Sequence, residues 1–107
     1  MKPAKSKPPG KLTRKLPARD KALVRFELRV PGAQSVCIAG TFNDWHPSAT
    51  EMIDLGAGHW VKDLKLPPGV YEYRFVVDGV WCDDPRAMAY ADNPFGGKNS
   101  VIQVLPK

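Results

Sequence analysis

From residue 22 onward the chain alternates apolar and polar positions with a period of two. In ALVRFELRV (22–30), Val24, Phe26, Leu28 and Val30 stand against Arg25, Glu27 and Arg29, the pattern of a strand with one buried face. Pro31 and Gly32 end it. SVCIAGT (35–41) is a short β-branched run with Val36 and Ile38 on one face, closed by a cluster of turn formers that begins at Gly40. TEMIDL (50–55) and HWVKDLKL (59–66), separated by Gly56 and Gly58, predict a hairpin whose second arm sends Trp60, Leu64 and Leu66 to one side. PPG (67–69) turns the chain into VYEYRFVVDGVW, where Tyr71, Tyr73, Phe75 and Val77 alternate with Glu72, Arg74 and Val76. Within it, Asp78-Gly79 is a hairpin signal of type I′, because that turn needs positive φ, which Gly tolerates and Asp can adopt. CDDPRAMAYADNPFGGK reads as an irregular stretch, and NSVIQVL (99–105) as the last strand.

No eleven-residue window carries a helical stripe with caps. Six or seven short strands, about ten residues apart and joined by Gly and Pro turns, predict an all-β fold: an immunoglobulin-like antiparallel sandwich of about seven strands. The Cys…Trp…Cys spacing of antibody domains is not clearly present. Residues 21–107 suffice for one such domain and leave no room for a catalytic barrel beside it.

Charge divides the chain at the same boundary. Residues 1–20 hold seven basic side chains against Asp20 alone, whereas residues 21–107 hold nine basic and ten acidic ones. The overall charge of +5 therefore describes neither part. Pro3, Pro8, Pro9 and Pro17 with two leucines give the first segment too little apolar surface to offset ordering, so residues 1–20 are expected to be a disordered basic tail. Lys and Pro interrupt any signal-peptide core, and no run approaches the roughly 20 apolar residues of a membrane span, so the cytoplasm is the expected location. Cys37 and Cys82 lie 45 positions apart without a CxxC partner, which argues against zinc. A disulfide between sheets and two partly buried free thiols both fit the spacing, and a cytosolic chain favours the thiols. No cofactor is expected.

Folding accounts for the alternating apolar positions, so chemistry has to be sought in what the core does not use. Trp60 is in phase with Leu64 and Leu66 and reads as core. Trp45, inside GTFNDWHP, belongs to no alternating run, and Trp81 follows a tight turn. Each is either a ring capping one end of the sandwich or a contact for something outside. Aromatic rings shown by loops suit ligands with flat apolar faces, and one side of a pyranose is a sheet of C–H groups. Arg74 should leave the sheet opposite Tyr73 and Phe75, where an ordinary solvated charge is the plain alternative. Asn99 opens the last strand and could simply be a turn residue.

VCIAGTFNDWHP, LPPGVYEYRFVVDGVWCDDP and NPFGGKNSVIQV together resemble the glycogen-binding domain of the AMP-activated protein kinase β subunit and its relatives in carbohydrate-binding module family forty-eight. That family includes the early-set domain preceding the catalytic barrel of isoamylases and branching enzymes. The resemblance covers about residues 22–105 and implies an early-set sandwich that binds α-1,4-glucans of the glycogen or starch type without catalysis. It implies that Trp45 and Trp81 stack on glucose rings, that Arg74 and Asn99 bond sugar hydroxyls, and that Phe95 presses on the curved glucan. Arg74 stands where the kinase subunit has lysine, which replaces a compact rotating donor with a planar fork. Gly97 replaces a hydrogen-bonding side chain.

Three other functions are to be set beside this one. Glycoside hydrolysis commonly needs two carboxyl groups about 5 to 9.5 Å apart across the scissile bond. Asp83 and Asp84 adjoin Trp81, but consecutive residues of an extended segment face opposite ways. A scaffold module could instead recruit a glycogen-metabolising enzyme or kinase without itself binding sugar. The basic tail could contact nucleic acid, though without interleaved aromatics such binding is expected to be weak, non-specific and salt-sensitive.

Overall fold

The alternating runs assemble into two antiparallel sheets. The computed structural model describes residues 21–106, so the expectation made for residues 1–20 lies outside them. The strands are β1 (Ala22–Arg29), β2 (Val36–Gly40), β3 (Ile53–Asp54), β4 (His59–Leu66), β5 (Gly69–Val77), β6 (Val80–Cys82), β7 (Ala89–Asp92) and β8 (Lys98–Val104). One sheet has the order β1-β4-β3, and the other runs β2-β5-β8-β7 with β6 also on β5. This is the immunoglobulin-like sandwich expected from the pattern, with eight strands among the described residues rather than about seven.

β5 organises the larger sheet. One edge pairs with β2 from Tyr73 to Val77, while the other is shared between β8, over Gly69–Tyr73, and β6, over Phe75–Val77. The β5–β6 turn has φ of 48° at Asp78 and 83° at Gly79, positive at both central positions as a type I′ hairpin requires. The Asp78 carboxylate accepts backbone N–H groups from Gln34 (2.9 Å) and Ser35 (2.8 Å), which ties this turn to the loop before β2.

Two readings change. The segment 50–55 is not one hairpin arm. Ile38 N donates to Thr50 O (3.0 Å) and Met52 N to Val36 O (2.8 Å), so its first half runs along β2, whereas Ile53 and Asp54 pair with Val61 and Trp60. The chain crosses between sheets at Met52, whose buried side chain fills the corner. The stretch read as irregular contains β7, which pairs with β8 through Ala89↔Val101 to Asp92↔Lys98. Its alanines give almost no apolar contrast between faces, so periodicity was silent there.

The core lies between the inner faces. Phe26, Leu28, Val36, Ile38, Trp60, Leu66, Tyr73 and Phe75 are buried, with the Tyr73 ring near edge-on to Phe26 at 4.9 Å. Such aromatic pairs contribute about 0.5–1.5 kcal/mol beyond the area they bury. One polar network enters this interior. Tyr73 Oη donates to Asp84 Oδ2 (2.6 Å), Asp84 N donates to Ser100 Oγ (3.0 Å), and Arg86 N donates to Asp84 Oδ1 (2.9 Å). Burial, followed by the bond to Asp84, pushes the Tyr73 phenol well above its ordinary range.

The two cysteines are free thiols. Cys37 is in register with Val76 on one edge of β5 and Cys82 with Phe75 on the other. Two interstrand spacings of about 4.8 Å therefore separate their backbones, and a disulfide seldom spans Cα atoms more than about 7 Å apart.

Candidate functional site

The pleat that turns Tyr73 and Phe75 inward turns Glu72, Arg74 and Val76 outward, onto the face of the larger sheet away from the core. The Asp78-Gly79 hairpin sets Trp81 opposite Val76, so the register of one turn decides that this indole lies on the outer face too. Asn99 on β8 is paired with Ala91 and lies on the same face. It is an interior strand residue, not the turn residue that its position beside the glycines allowed, and its side chain is buried.

Loops complete the arrangement. After β2 the chain makes a 3₁₀ turn (Thr41–Asn43), and then Asp44 (φ 57°) and Trp45 (φ 60°) both adopt the left-handed conformation. For a bulky residue this is an outlier worth about 1–3 kcal/mol of strain, held only because its surroundings over-determine it. Asn43 supplies that constraint: its Oδ1 accepts Gly40 N (3.0 Å), and its Nδ2 donates to Ile38 O (3.0 Å) and Thr50 Oγ1 (3.0 Å). Gly40 is required for space, since a Cβ there would lie 2.5 Å from the Glu72 carbonyl oxygen. The strain and its ties aim Trp45 off the core.

On the other side, Asn93 Oδ1 accepts Phe95 N (2.9 Å) and Gly97 N (3.1 Å), folding residues 93–97 into a tight loop with Phe95 at its tip, 92% exposed. Asn93 Nδ2 donates to Asn99 Oδ1 (3.2 Å), and Asn99 Nδ2 donates to Glu72 Oε1 (2.9 Å). One hydrogen-bonded chain thus fixes the Asn99 amide and connects it to the Phe95 loop.

Trp45, Arg74, Trp81, Phe95 and Asn99 all line one open concavity of about 610 Å³. Trp81 is 39% exposed. Arg74 pairs through Nη2 with Asp83 (3.1 Å), while its Nε is buried without a hydrogen-bond partner. Glu72 and Asn93 also line the concavity, and the sequence reading missed both. Glu72 shares the phase of Arg74 two residues on, which was the available signal. For Asn93 it was the Asn-Pro…Gly-Gly pattern of a hairpin loop. Asp83 and Asp84 separate as expected for neighbours: Asp83 meets Arg74 outside, and Asp84 meets Tyr73 inside.

An early-set sandwich with an aromatic concavity on its outer face defines a small ligand-binding module. The chain belongs to the family described as the glycogen recognition site of AMP-activated protein kinase, which matches residues 24–107. Relatives include Protein FLOURY ENDOSPERM 6, chloroplastic, of Oryza sativa subsp. japonica, 36% identical over 67% of this chain and 13% of its own length. The 5′-AMP-activated protein kinase subunit beta-1 of Sus scrofa is 35% identical over 68% of this chain and 57% of its own length. The Phosphoglucan phosphatase DSP4, amyloplastic, of Castanea sativa is 27% identical over 79% of this chain and 23% of its own length. The chain thus spans between about an eighth and three-fifths of these relatives.

Proposed function

We propose that this protein is a non-catalytic module that binds α-1,4-glucans, with Trp45 and Trp81 stacking on glucose rings, Arg74 and Asn99 bonding hydroxyls, and Phe95 pressing on the curved chain. The observation that carries this is the meeting of those five side chains in one concavity, although they come from two loops and three strands. Membership of a glycogen-recognition family supports the glucan class. The Asn99 amide, oriented by Glu72 and Asn93, retains one N–H for a sugar hydroxyl. The divergence of Asp83, which meets Arg74 outside, from Asp84, which meets Tyr73 inside, supports a role without hydrolysis. Two stacking contacts with a few hydrogen bonds, less ordering costs, correspond to micromolar to millimolar affinity for a short oligosaccharide, about −8 to −4 kcal/mol.

Recruitment of an enzyme to the glucan is a compatible second role. It is favoured by relatives named for a kinase subunit and a phosphatase, in which the matched unit is part of a longer chain. Calorimetric titration with maltoheptaose, beside the β-linked cellohexaose, tests the main proposal. Saturable heat with the first alone is expected. No heat with maltoheptaose, together with no retention on a glycogen gel, would put the recruiting role in its place.

A further inference from the structure

We propose that the concavity selects neutral α-glucans and turns away those carrying phosphate or carboxylate groups, with Glu72 as the residue that sets the preference; this rests on the glucan reading above. The charges around the site support it. Arg74 is paired with Asp83 (3.1 Å) and Lys98 with Asp92 (2.8 Å), so each cation already has a carboxylate of its own. Asp83 also contributes to the field at Lys98. Glu72 is the charge left over. It lines the concavity half-buried, and its side chain bonds only the neutral Asn99 amide among the described residues.

Three backbone donors at the rim are also occupied. The N–H groups of Phe95 and Gly97 are held by Asn93 Oδ1, and that of Trp45 by Gly40 O (2.9 Å). An incoming phosphate would have to share Arg74 with Asp83 and would meet that carboxylate beside it. A sugar hydroxyl both donates and accepts, so it can give its proton to Glu72 while taking one from Asn99 or Arg74. A phosphate near pH 7 is mainly an acceptor and meets Glu72 acceptor to acceptor. Like charges about 6 Å apart across a half-exposed site repel enough for roughly a tenfold loss of affinity.

The test compares two β-cyclodextrins substituted on every primary hydroxyl, one with carboxymethyl groups and one with carbamoylmethyl groups of nearly the same shape. Each is titrated into wild type and Glu72→Gln, with unsubstituted β-cyclodextrin as reference. The ratio of the two affinities is read within each protein, so a loss common to both ligands cancels, and Gln keeps an acceptor for Asn99. In wild type the anionic ligand is expected to bind at least tenfold more weakly than the neutral one, by a margin that shrinks with added salt. In Glu72→Gln the ratio is expected to fall at least threefold. Equal binding of the two ligands overturns the proposal, as does an unchanged ratio in the variant. Exclusion of the carbamoylmethyl ligand as well assigns the effect to bulk and also overturns it. Silence with unsubstituted β-cyclodextrin instead fails the glucan reading itself.

Discussion

Replacing Trp81 by alanine tests the site most directly, because the structure sets the size of the effect. An indole offers about 250 Å² at most. With 39% of Trp81 open, about 100 Å² is available to a ligand, and a pyranose stacked on one face covers about half to two-thirds of that. At about 25 cal/mol per Å², the covered area corresponds to roughly 1.3–1.7 kcal/mol. Face-to-ring stacking, scaled on aromatic pairs, adds about 0.5–1.5 kcal/mol. Trp81→Ala is therefore expected to lose about 2–3 kcal/mol, raising the dissociation constant for maltoheptaose about 30- to 150-fold.

The assay is calorimetric titration, with circular dichroism and urea unfolding to establish that the variant is folded. Trp81 also covers part of the sheet next to Val76, so a lower urea midpoint with an unchanged slope is expected alongside the binding loss. A folded variant whose affinity falls less than threefold would refute the stacking role, since neither the area nor the ring contact could then be in use.

Asn93→Ala removes the acceptor for Phe95 N and Gly97 N and the donor to Asn99 Oδ1. Both affinity and stability are expected to fall, affinity by about tenfold and stability by about 1–2 kcal/mol, read by cyclodextrin titration and urea melts. Tyr73→Phe is expected to cost about 1–3 kcal/mol near pH 7, because the buried Asp84 carboxylate loses a donor, and to leave the outer-face residues in register. The Tyr73 phenol titrates higher folded than unfolded, so its contribution is complete below about pH 10 and is lost as pH rises toward the folded value. Above about pH 10 the wild type should lose up to about 1.4 kcal/mol per pH unit from this group, a slope that Tyr73→Phe lacks in urea melts at pH 9–11.5.

How much of this was legible in the sequence depended on whether neighbouring positions contrast. In β1, β4 and β5 large apolar residues alternate with charges, so both the strands and their inward faces could be read. Asp78-Gly79 carried its turn type openly, and that turn then fixed the register of Trp81. β7 escaped because AYAD offers mostly small side chains with similar costs on either face. The segment 50–55 escaped because a strand that leaves one sheet for the other keeps its alternation while changing partners. In the concavity, Trp45, Arg74, Trp81, Phe95 and Asn99 were singled out largely through resemblance to a family. Glu72 acts on Asn99, 27 positions away, and no local pattern records that bond, whereas Asn93 bonds residues two to six positions on and left a local trace in its Asn-Pro…Gly-Gly loop.

The arrangement separates stability from recognition along a single strand. In β5, Tyr73 and Phe75 fix the core, while Glu72 and Arg74, one residue out of phase, form part of the concavity. Substitutions on the outer phase leave the core contacts in place, so the binding face can change its ligand while the sandwich persists. The loops follow another rule. Trp45 depends on two consecutive left-handed residues and on the bonds of Asn43, and Phe95 depends on Asn93, so both rings are aimed by the hydrogen bonds of polar side chains. A loss of either asparagine should therefore weaken recognition through geometry, with each indole and the Phe95 ring still present, whereas a loss at Tyr73 should act through the fold. That difference in behaviour, and not the aromatic content alone, is what distinguishes a built site from rings that merely reach the surface.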